Sequence, residues 1–477
     1  MRRSRRHFRT VLLLCLLLST LGATLPGLGG PSYEIDLDVA WDTGTFAGTL
    51  RVTTENATSA PLDELVFRLF PNDAAIYGEA WLEVLGVSAG GTPLSIRAQS
   101  NSTVLPAILP SPLEPGQTTS LVLQFHGQAG GSPETVTDGS TGYGILTRND
   151  RSFVLTAFYP ILAVVDDTGW RIGETCGLGD ALWAESSDYD VTVSTSPAAA
   201  PAATGRLLSS VSEEGAGLAI HRFRATAVRD FALVLTQGYA QAELQTGSHT
   251  LRSWFSPTEE AATERTLTIA SQSVSVFERR IGPLAYEEID LVGVPLHRAA
   301  GVEFSGLILL SSARARNPSE TFYEILVSHE MAHQWFYASV GNDPTLHPWL
   351  DEGPATYLSN LYLEEAGDPA AAAFEVRDWQ QTYGRIRHSH AHLSIGEPTC
   401  RFARSTAYGA YAYSGGAWFL HSIRQVIGDD AFFEGLSAYY GTFFERIATP
   451  SDLFDAFDLA AGYPLHDVYE TFGFVRD

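Results

Sequence analysis

The sequence predicts a multidomain protein in which a β-sandwich domain precedes an α+β domain with a short helical tail. The chain has 477 residues, which is too long for one ordinary hydrophobic core. Apolar and polar residues alternate in short segments of the first half, such as 33–39, 48–53 and 120–125. This pattern is typical of strands that are buried on one face. Beyond Trp254 the spacing of apolar residues changes to a helical one.

The predicted divisions are residues 1–30 for an export segment, 31–245 for the β-sandwich and 246–477 for the α+β domain. Ser256, Pro257 and Glu259 have the pattern of a capped helix start, so we expect a helix from there to about Arg280. The Ala- and Pro-rich segment 196–205 is expected to be a surface loop. Strands are predicted at 286–294 and 306–311, and further helices at 319–340, 351–366, 369–383, 414–427, 429–444 and 450–461.

Composition excludes two classes of protein. Hydrophobic residues make up 45% of the chain and aromatic residues 11%, which argues against a disordered protein. The formal net charge is −25, and all 30 basic residues are arginine. An acidic surface repels phosphate groups, so no nucleic acid partner is expected.

The first 30 residues are expected to be a secretory signal. Arginines without an acidic residue precede an apolar run from Val11 to Leu18, and small residues follow. Residues 4–8, Ser-Arg-Arg-His-Phe, also resemble a twin-arginine export signal. The apolar run is shorter than the roughly 20 residues of a membrane span, and an uncleaved membrane anchor is the alternative. We therefore expect an extracytoplasmic or secreted protein, in which Cys176 and Cys400 could pair.

A metal site is predicted by the H-E-x-x-H run at His329, Glu330 and His333. Residues four apart share one helix face, so both imidazoles can bind one metal ion. Glu330 points about 100° away and can hold a water molecule without binding the metal. Two imidazoles, one carboxylate and an open fourth position are typical of a catalytic zinc ion. We expect one zinc ion, with Glu330 as the base that takes and passes the proton.

The third ligand is predicted to be Glu352. Eighteen residues separate it from His333, and it lies in a W-x-x-E-G segment that begins at Trp349. With the H-Q-W-F run at 333–336, this arrangement resembles the aminopeptidase-N-like family of gluzincin metallopeptidases. The resemblance implies a saddle-like β domain packed on a thermolysin-like catalytic domain. The large C-terminal helical domain of many members is missing from this sequence, so we expect a more open cleft or closure by a partner.

The resemblance also implies substrate-binding and catalytic residues. Glu303 matches the family glutamate that binds the substrate's free α-amine, in a degenerate form of the G-x-M-E-N segment. Gly301 or Ala300 takes the place of the family glycine, whose backbone lines the cleft. Tyr413, in a segment similar to Y-x-K-G-A, matches the tyrosine that stabilises the oxyanion, with Tyr408 and Tyr411 as nearby competitors.

Three functions are compatible with these residues. A zinc aminopeptidase that hydrolyses N-terminal peptide bonds is favoured, and a zinc endopeptidase acting on short peptides without a free-amine requirement is the alternative. Family members usually supply a second amine anchor, a Gln or Glu from the β domain. Segment 153–160 contains neither, and Asp166 and Asp167 cannot be placed at the cleft from sequence. An inactive peptide-binding or envelope protein is the third hypothesis, and the oligomeric state is not determined by the sequence.

Overall fold

The structure, a computed structural model, describes residues 30–97, 102–134, 141–173, 175–213, 217–402 and 404–474. The predicted export segment therefore lies outside the described residues, apart from Gly30. The first part of the described chain is almost entirely β structure. Its elements are β1 (Ser32–Ala40), β2 (Thr45–Glu55), β3 (Leu62–Arg68), α1 (Ala74–Tyr77), β4 (Trp81–Ala89), β5 (Thr92–Pro93), β6 (Val104–Leu113), β7 (Thr118–Gln128), β8 (Gly130–Gly131), β9 (Leu146–Arg148), β10 (Ser152–Leu155), β11 (Ile161–Leu162), β12 (Val165–Asp166), β13 (Gly169–Trp170), β14 (Ser187–Thr195), β15 (Ala200–Ala203), β16 (Arg206–Glu213), β17 (Leu218–Val228) and β18 (Leu233–Thr236).

The largest layer of this domain is an eight-stranded sheet with the order β16-β17-β14-β1-β2-β7-β4-β5. Within it, β1 pairs antiparallel with β2 and parallel with β14. Side chains along β1 alternate strictly between exposed and buried, as the sequence pattern predicts for a strand with one buried face. A five-stranded sheet, β15-β18-β10-β9-β8, and a three-stranded sheet, β11-β3-β6, form the other layers.

Aromatic side chains hold the layers of the β domain together. Tyr33 and Tyr189, from adjacent strands of the large sheet, stack with ring centroids 4.7 Å apart. Tyr159, which follows β10, meets both rings edge-on and donates a hydrogen bond to the Tyr189 hydroxyl at 3.0 Å. Phe158 packs edge-on against Phe46 of β2. This buried seam is the core of a β-sandwich, and the predicted fold class of this domain is confirmed.

The second domain is α+β, also as predicted. Its elements are β19 (Ala240–Thr246), β20 (His249–Phe255), α2 (Ala262–Arg280), β21 (Glu288–Val294), β22 (Gly301–Phe304), β23 (Leu307–Ser311), α3 (Ser312–Ala315), α4 (Thr321–Ala332), α5 (Trp349–Glu365), α6 (Pro369–Ser389), α7 (Ser405–Tyr408), a π-helical turn (Gly409–Gly415), α8 (Gly416–Phe443), α9 (Pro450–Ala461) and α10 (His466–Thr471). The sheet order is β19-β20-β21-β23-β22, with β22 antiparallel at the edge. Strand β19 belongs to this sheet, although the predicted division assigns residues 240–245 to the β-sandwich.

The predicted helix start at Ser256 is wrong by six residues. The chain turns from Ser256 onward, and α2 begins only at Ala262. The carboxylate of Glu259 does not return to cap the backbone. It accepts hydrogen bonds from the Ser256 hydroxyl and, at 3.1 Å, from Arg316. The tertiary partner therefore overrides the local capping pattern.

The helix predicted at 319–340 is also too long, since α4 ends at Ala332. The chain then turns through Tyr337, whose φ is +121°. The side chain of Gln334 is thereby directed at the edge of the sheet, where it accepts a hydrogen bond from the Gly306 amide at 2.9 Å and donates one to the Phe304 carbonyl at 3.2 Å. The helix ends so that its last turn can hold the strand beside it.

One further difference is smaller. The segment expected to be a surface loop contains β15, whose Ala202 and Ala203 are buried against β18. The division predicted between helices 414–427 and 429–444 is confirmed, because Gly428, with a φ of +80°, is non-helical and separates two helical parts of α8. Among the described residues, no helix has the length and apolar character needed to cross a membrane.

The two domains are joined through a buried arginine that follows β17. Arg229 donates hydrogen bonds to the carbonyls of Ala184 at 2.9 Å, Ala338 at 3.2 Å, Ser339 at 3.1 Å and Arg446 at 3.1 Å. One of these carbonyls belongs to the β domain and three to the α+β domain. Because a guanidinium carries five fixed donors, this side chain fixes the orientation of the first domain on the second.

Candidate active site

The helix α4 places the first three predicted site residues beside the sheet. Tyr323, Val327 and Met331 are buried on its core side. His329 and His333 follow one another on the face that points into a cleft, with ring centroids 4.8 Å apart. The helix is therefore fixed by its apolar residues while the two imidazoles remain directed at a common point.

The helix α5 brings Glu352 to the same point. Glu352 lies in its first turn, and α5 crosses the start of α8 where Gly353 meets Gly416. A methyl group on Gly416 would lie 2.7 Å from the Cα atom of Gly353, so larger residues would push the two helices apart. This close approach explains the glycine that follows Glu352 in the sequence.

The predicted metal ligands converge in a triangle. The Nε2 atoms of His329 and His333 are 3.2 Å apart, and Oε2 of Glu352 lies 3.2 Å from the first and 3.4 Å from the second. A point equidistant from the three atoms lies about 2 Å from each, which is the length of zinc–nitrogen and zinc–oxygen bonds. Nδ1 of His333 donates a hydrogen bond to the Phe336 carbonyl at 3.1 Å, which leaves Nε2 as the lone-pair nitrogen. Facing lone pairs at this distance fit a cation between them, and the residues present fit zinc.

Electrostatics agree with a cation at this triangle. Burial alone would raise the pKa of Glu352, but its contacts with the two imidazoles lower it to about 2. Burial lowers the pKa of His329. Burial also acts to lower the pKa of His333, but the carboxylates of Glu303 and Glu352 outweigh it and raise that pKa. An ionised carboxylate beside a neutral imidazole is the ligand form that metal binding requires.

Glu330 lies against β22 rather than in the triangle. Its Oε2 atom is buried and has no hydrogen-bond partner among the described residues, so it can accept one from a water molecule in the cleft. Burial raises the pKa of Glu330 to about 8. A positive ion in the triangle would lower it again, because an opposite charge favours the carboxylate form.

Glu303 lies on the edge strand β22, on the far side of His333. Its side chain is buried, and Oε1 is 3.7 Å from Nδ1 of His333. Burial raises the pKa of Glu303 well above its usual value, and the negative charge of Asp180 raises it further. A carboxylate in this environment is stabilised by any cation that enters the cleft.

Asp180 is the site residue that sequence analysis missed. It lies on the β-domain segment 177–180, lines the same cavity as Glu303, and has a pKa raised to about 7 by burial and by Glu352. The segment 153–160, where an anchor was sought, is buried core. Asp166 is paired with Arg171 at 2.7 Å, and Asp167 accepts a hydrogen bond from the Ser59 amide at 2.8 Å. Neither of these lines the cavity.

Tyr413 also reaches the metal triangle. Its ring stacks on that of His329 at 5.7 Å, and its hydroxyl donates a hydrogen bond to Oε1 of Glu352. The π-helical turn that carries Tyr413 comes directly before Gly416, so the glycine contact between α5 and α8 also sets the position of this hydroxyl. Such turns are frequent at functional sites. Of the two competitors, Tyr408 packs edge-on behind Tyr413 at 5.9 Å, and the Tyr411 hydroxyl donates a hydrogen bond to the His390 carbonyl at 2.9 Å.

All of these groups line one cavity of about 390 Å³ between the two domains. Its β-domain wall carries Tyr143 and the segment 178–180. A disulfide between Cys176 and Cys400 joins that wall to the segment that precedes α7. The pairing that the sequence left open is therefore present, and it links both sides of the cleft.

Comparisons with known proteins relate the second domain to a family of peptidases. Residues 265–472 match the model of the peptidase family M1 domain. Aminopeptidase 2 of Candida albicans is 30% identical over 226 residues, which cover 44% of this chain and 24% of the relative. Aminopeptidase Ey of Gallus gallus is 28% identical over 249 residues, covering 47% and 24%. The chain thus spans about a quarter of the length of the curated relatives that it matches.

Solved structures match over nearly the whole chain. The M1 zinc metallopeptidase from Deinococcus radiodurans superimposes with a TM-score of 0.66 at 22% identity, covering 95% of this chain and 96% of that one. A mutant of that enzyme bound to a Tyr-Ser-Ala substrate gives a TM-score of 0.67 at 21% identity, covering 95% and 97%. The match of residues 265–472 to the M1 domain and the aminopeptidase relatives support the resemblance to the aminopeptidase-N-like family of gluzincin metallopeptidases, and the solved structures show that the fold is shared.

Proposed function

We propose that the protein is a zinc aminopeptidase that removes N-terminal residues from peptides. The observation that carries the proposal is the pairing of two features in one cavity. A triangle of His329, His333 and Glu352 fits a zinc ion, and the acidic groups of Glu303 and Asp180 lie at the β-domain side. Glu303 is buried and Asp180 is half-buried, and among the described residues neither is paired with an arginine. Two such acids on one side of the cavity fit the α-ammonium of a peptide.

Each of these cavity residues has a separate role in the proposed reaction. Glu303 and Asp180 hold the ammonium, which positions the first peptide bond beside the metal triangle. A zinc ion, when bound, would polarise the scissile carbonyl and acidify water. The free Oε2 atom of Glu330 accepts a proton from the attacking water and passes it to the leaving amine. The hydroxyl of Tyr413 donates a hydrogen bond to the oxyanion that develops on the carbonyl.

Two further parts of the proposal concern stoichiometry and location. A single zinc ion is favoured because the two possible ligand groups, His329-His333-Glu352 and Glu303-Glu330-His333, share His333. In the second group, Nδ1 of His333 already donates to a backbone carbonyl. The basic and apolar pattern of residues 1–30 supports export from the cytoplasm, and peptides outside it would be the substrates.

Zinc content and hydrolysis, measured together, test the proposal. The purified protein and Glu330→Gln are assayed with alanine and leucine p-nitroanilides and with the N-acetylated forms of both. We expect one zinc per chain in each protein, with hydrolysis of the free-amine substrates by the wild type alone. Cleavage of blocked substrates at a similar rate would favour the endopeptidase alternative, and absence of zinc from the wild type would refute both.

A further inference from the structure

One basic side chain lines the cavity apart from the two histidines. Among the cavity-lining residues that the structure describes, Arg298 is the single arginine, while Asp180, Glu303, Glu330 and Glu352 are acidic. Three of these acids already have a use at the metal or the substrate amine. A positive group on an otherwise acidic wall can bind an anionic group of a ligand.

Arg298 makes few contacts with the other described residues of the protein. The residue is exposed, and its Nη1 atom makes one long contact with the Ala75 carbonyl, at 3.4 Å. Within the described part of the chain, no carboxylate lies within 4.0 Å of its guanidinium. Other arginines of the protein, such as Arg424 with Glu364 and Asp429, are held by carboxylates. As far as the described residues extend, the guanidinium of Arg298 is therefore available to a ligand.

The backbone of Arg298 also departs from what its side chain prefers. Its φ is +66°, in the left-handed region that residues with a Cβ atom rarely adopt and that glycine adopts without cost. Non-glycine residues in this region are concentrated at binding and active sites. A glycine would satisfy the turn better, so the arginine side chain itself requires an explanation.

The segment around Arg298 is fixed to the side of the cavity that carries Asp180. The amide of His297 donates a hydrogen bond to the Tyr143 carbonyl at 3.0 Å, and its ring contacts the Gly142 carbonyl at 3.1 Å. The charge of Arg298 acts on the hydroxyl of Tyr143, which in turn contacts the backbone of Gly179 beside Asp180. A peptide whose ammonium is held by Glu303 and Asp180 therefore has Arg298 on the same wall.

We propose that Arg298 binds a carboxylate of the peptide substrate and so selects among peptides that carry one near the N-terminus. This inference rests on the proposed aminopeptidase function and adds a specificity-determining residue to it. The carboxylate can come from an acidic side chain of the substrate, Asp or Glu, or from the C-terminus of a di- or tripeptide. Both sources offer the planar pair of oxygens that a guanidinium binds in a bidentate manner.

Two matched substrate pairs distinguish the sources. Glutamate and glutamine p-nitroanilides differ only in the side-chain charge, and trialanine differs from trialanine amide only in the C-terminal charge. Alanine p-nitroanilide has no carboxylate and reports the proposed function independently. The variants are Arg298→Gly, which suits the left-handed backbone, and Arg298→Lys, which keeps the charge. Arg385→Ala, an exposed arginine on α6 outside the cavity, is the matched control.

We expect the wild type to prefer the carboxylate form of at least one pair by about tenfold in kcat/KM, the scale of a charge-assisted hydrogen bond. Arg298→Gly should lose this preference and keep its activity on alanine p-nitroanilide. Arg298→Lys should retain part of the preference. The control variant, Arg385→Ala, should behave as the wild type. Equal rates within both pairs in the wild type, or an unchanged preference in Arg298→Gly, would overturn the proposal.

A binding measurement separates failure of this proposal from failure of the proposed function. Calorimetric titration of trialanine and its amide, and of the dipeptides Glu-Ala and Gln-Ala, uses Glu330→Gln with and without Arg298→Gly, so that no turnover is needed. Tighter binding of the charged peptide that disappears with Arg298→Gly supports the role of Arg298 even if the wild type hydrolyses no anilide. If each charged peptide binds as tightly with Arg298→Gly as without it, the role of Arg298 is refuted even if alanine p-nitroanilide is hydrolysed.

Discussion

Gly301 and Glu330 approach each other so closely that no side chain fits between them. A methyl group built on Gly301 would lie 2.6 Å from Cγ of Glu330, and closer still to its carboxylate. The edge strand β22 thus forms the wall in contact with Glu330, the proposed catalytic base. Of the two candidates for the family glycine, Ala300 and Gly301, the structure places Gly301 in this contact.

Gly301→Ala should therefore displace the Glu330 carboxylate while leaving the metal triangle intact. We expect kcat to fall by about 10²-fold, which is the scale of a lost general base, with zinc content unchanged. Gly384→Ala on α6 is a matched control, because a methyl group there meets no atom within 4 Å. Wild-type kcat in Gly301→Ala would contradict the assignment of Glu330 as a base held by β22.

Asp180 and Glu303 are predicted to act through substrate affinity. Replacing either carboxylate by its amide, in Asp180→Asn and Glu303→Gln, removes one charge that faces the ammonium. We expect KM for alanine p-nitroanilide to rise about tenfold in each variant, with a smaller change in kcat. Asp166→Asn, on the exposed hairpin β12–β13, should match the wild type, whereas an unaltered KM in Asp180→Asn would remove this residue from the amine site.

Asp230 is predicted to make stability depend on pH. Its Oδ1 accepts the Ser305 amide at 3.0 Å and its Oδ2 accepts the Tyr337 hydroxyl at 2.5 Å, which links the end of β22 to the segment after α4. Burial raises the pKa of Asp230 to about 6. Since the unfolded chain has the lower pKa, about 3.9, the carboxyl stabilises the fold below pH ~4, and up to about 3 kcal/mol is lost as the pH rises to 6.

Urea unfolding of the wild type and Asp230→Asn between pH 4 and 8 measures this effect. The amide of the variant cannot ionise. The free energy of unfolding of the wild type, relative to that of the variant, should therefore decrease from about pH 4 to about pH 6 and level off at higher pH. If the difference in free energy of unfolding between the wild type and Asp230→Asn does not vary with pH, the pKa of Asp230 is not altered by folding of the chain.

The disulfide is predicted to hold the wall that carries Asp180. Cys176 precedes Asp180 by four residues, and Gly179 of the same segment packs against the Tyr408 ring. Replacing both cysteines by serine should lower the free energy of unfolding by about 2–4 kcal/mol and raise KM several-fold. Dithiothreitol should reproduce both effects in the wild type and change nothing in the double variant. Equal KM values would show that the wall keeps its position without the covalent link.

The parts of the fold and site that depend on local pattern could be predicted from the sequence. The alternation of apolar and polar residues along β1 follows from the two-residue period of a strand. The four-residue spacing of His329 and His333 follows from the period of a helix. Glu352 was found through a longer spacing that only a family resemblance makes meaningful. The sequence therefore indicates the metal site more precisely than it indicates the boundaries of the elements that carry it.

The parts that sequence analysis missed depend on partners distant along the chain. The helix start at Ser256 fails because Glu259 binds Arg316, 57 residues away. Asp180 carries no local signal, since it reaches the cavity through a disulfide to Cys400 and contacts with Tyr408. Arg298 is marked only by a backbone angle that the letters around it do not predict.

The position of the metal tests the central claim most directly. Crystals of the protein as purified, measured on both sides of the zinc absorption edge, locate any zinc by its anomalous signal. We predict one peak about 2 Å from Nε2 of His329, Nε2 of His333 and Oε2 of Glu352. No peak, or a peak among Glu303, Glu330 and His333, would contradict the account.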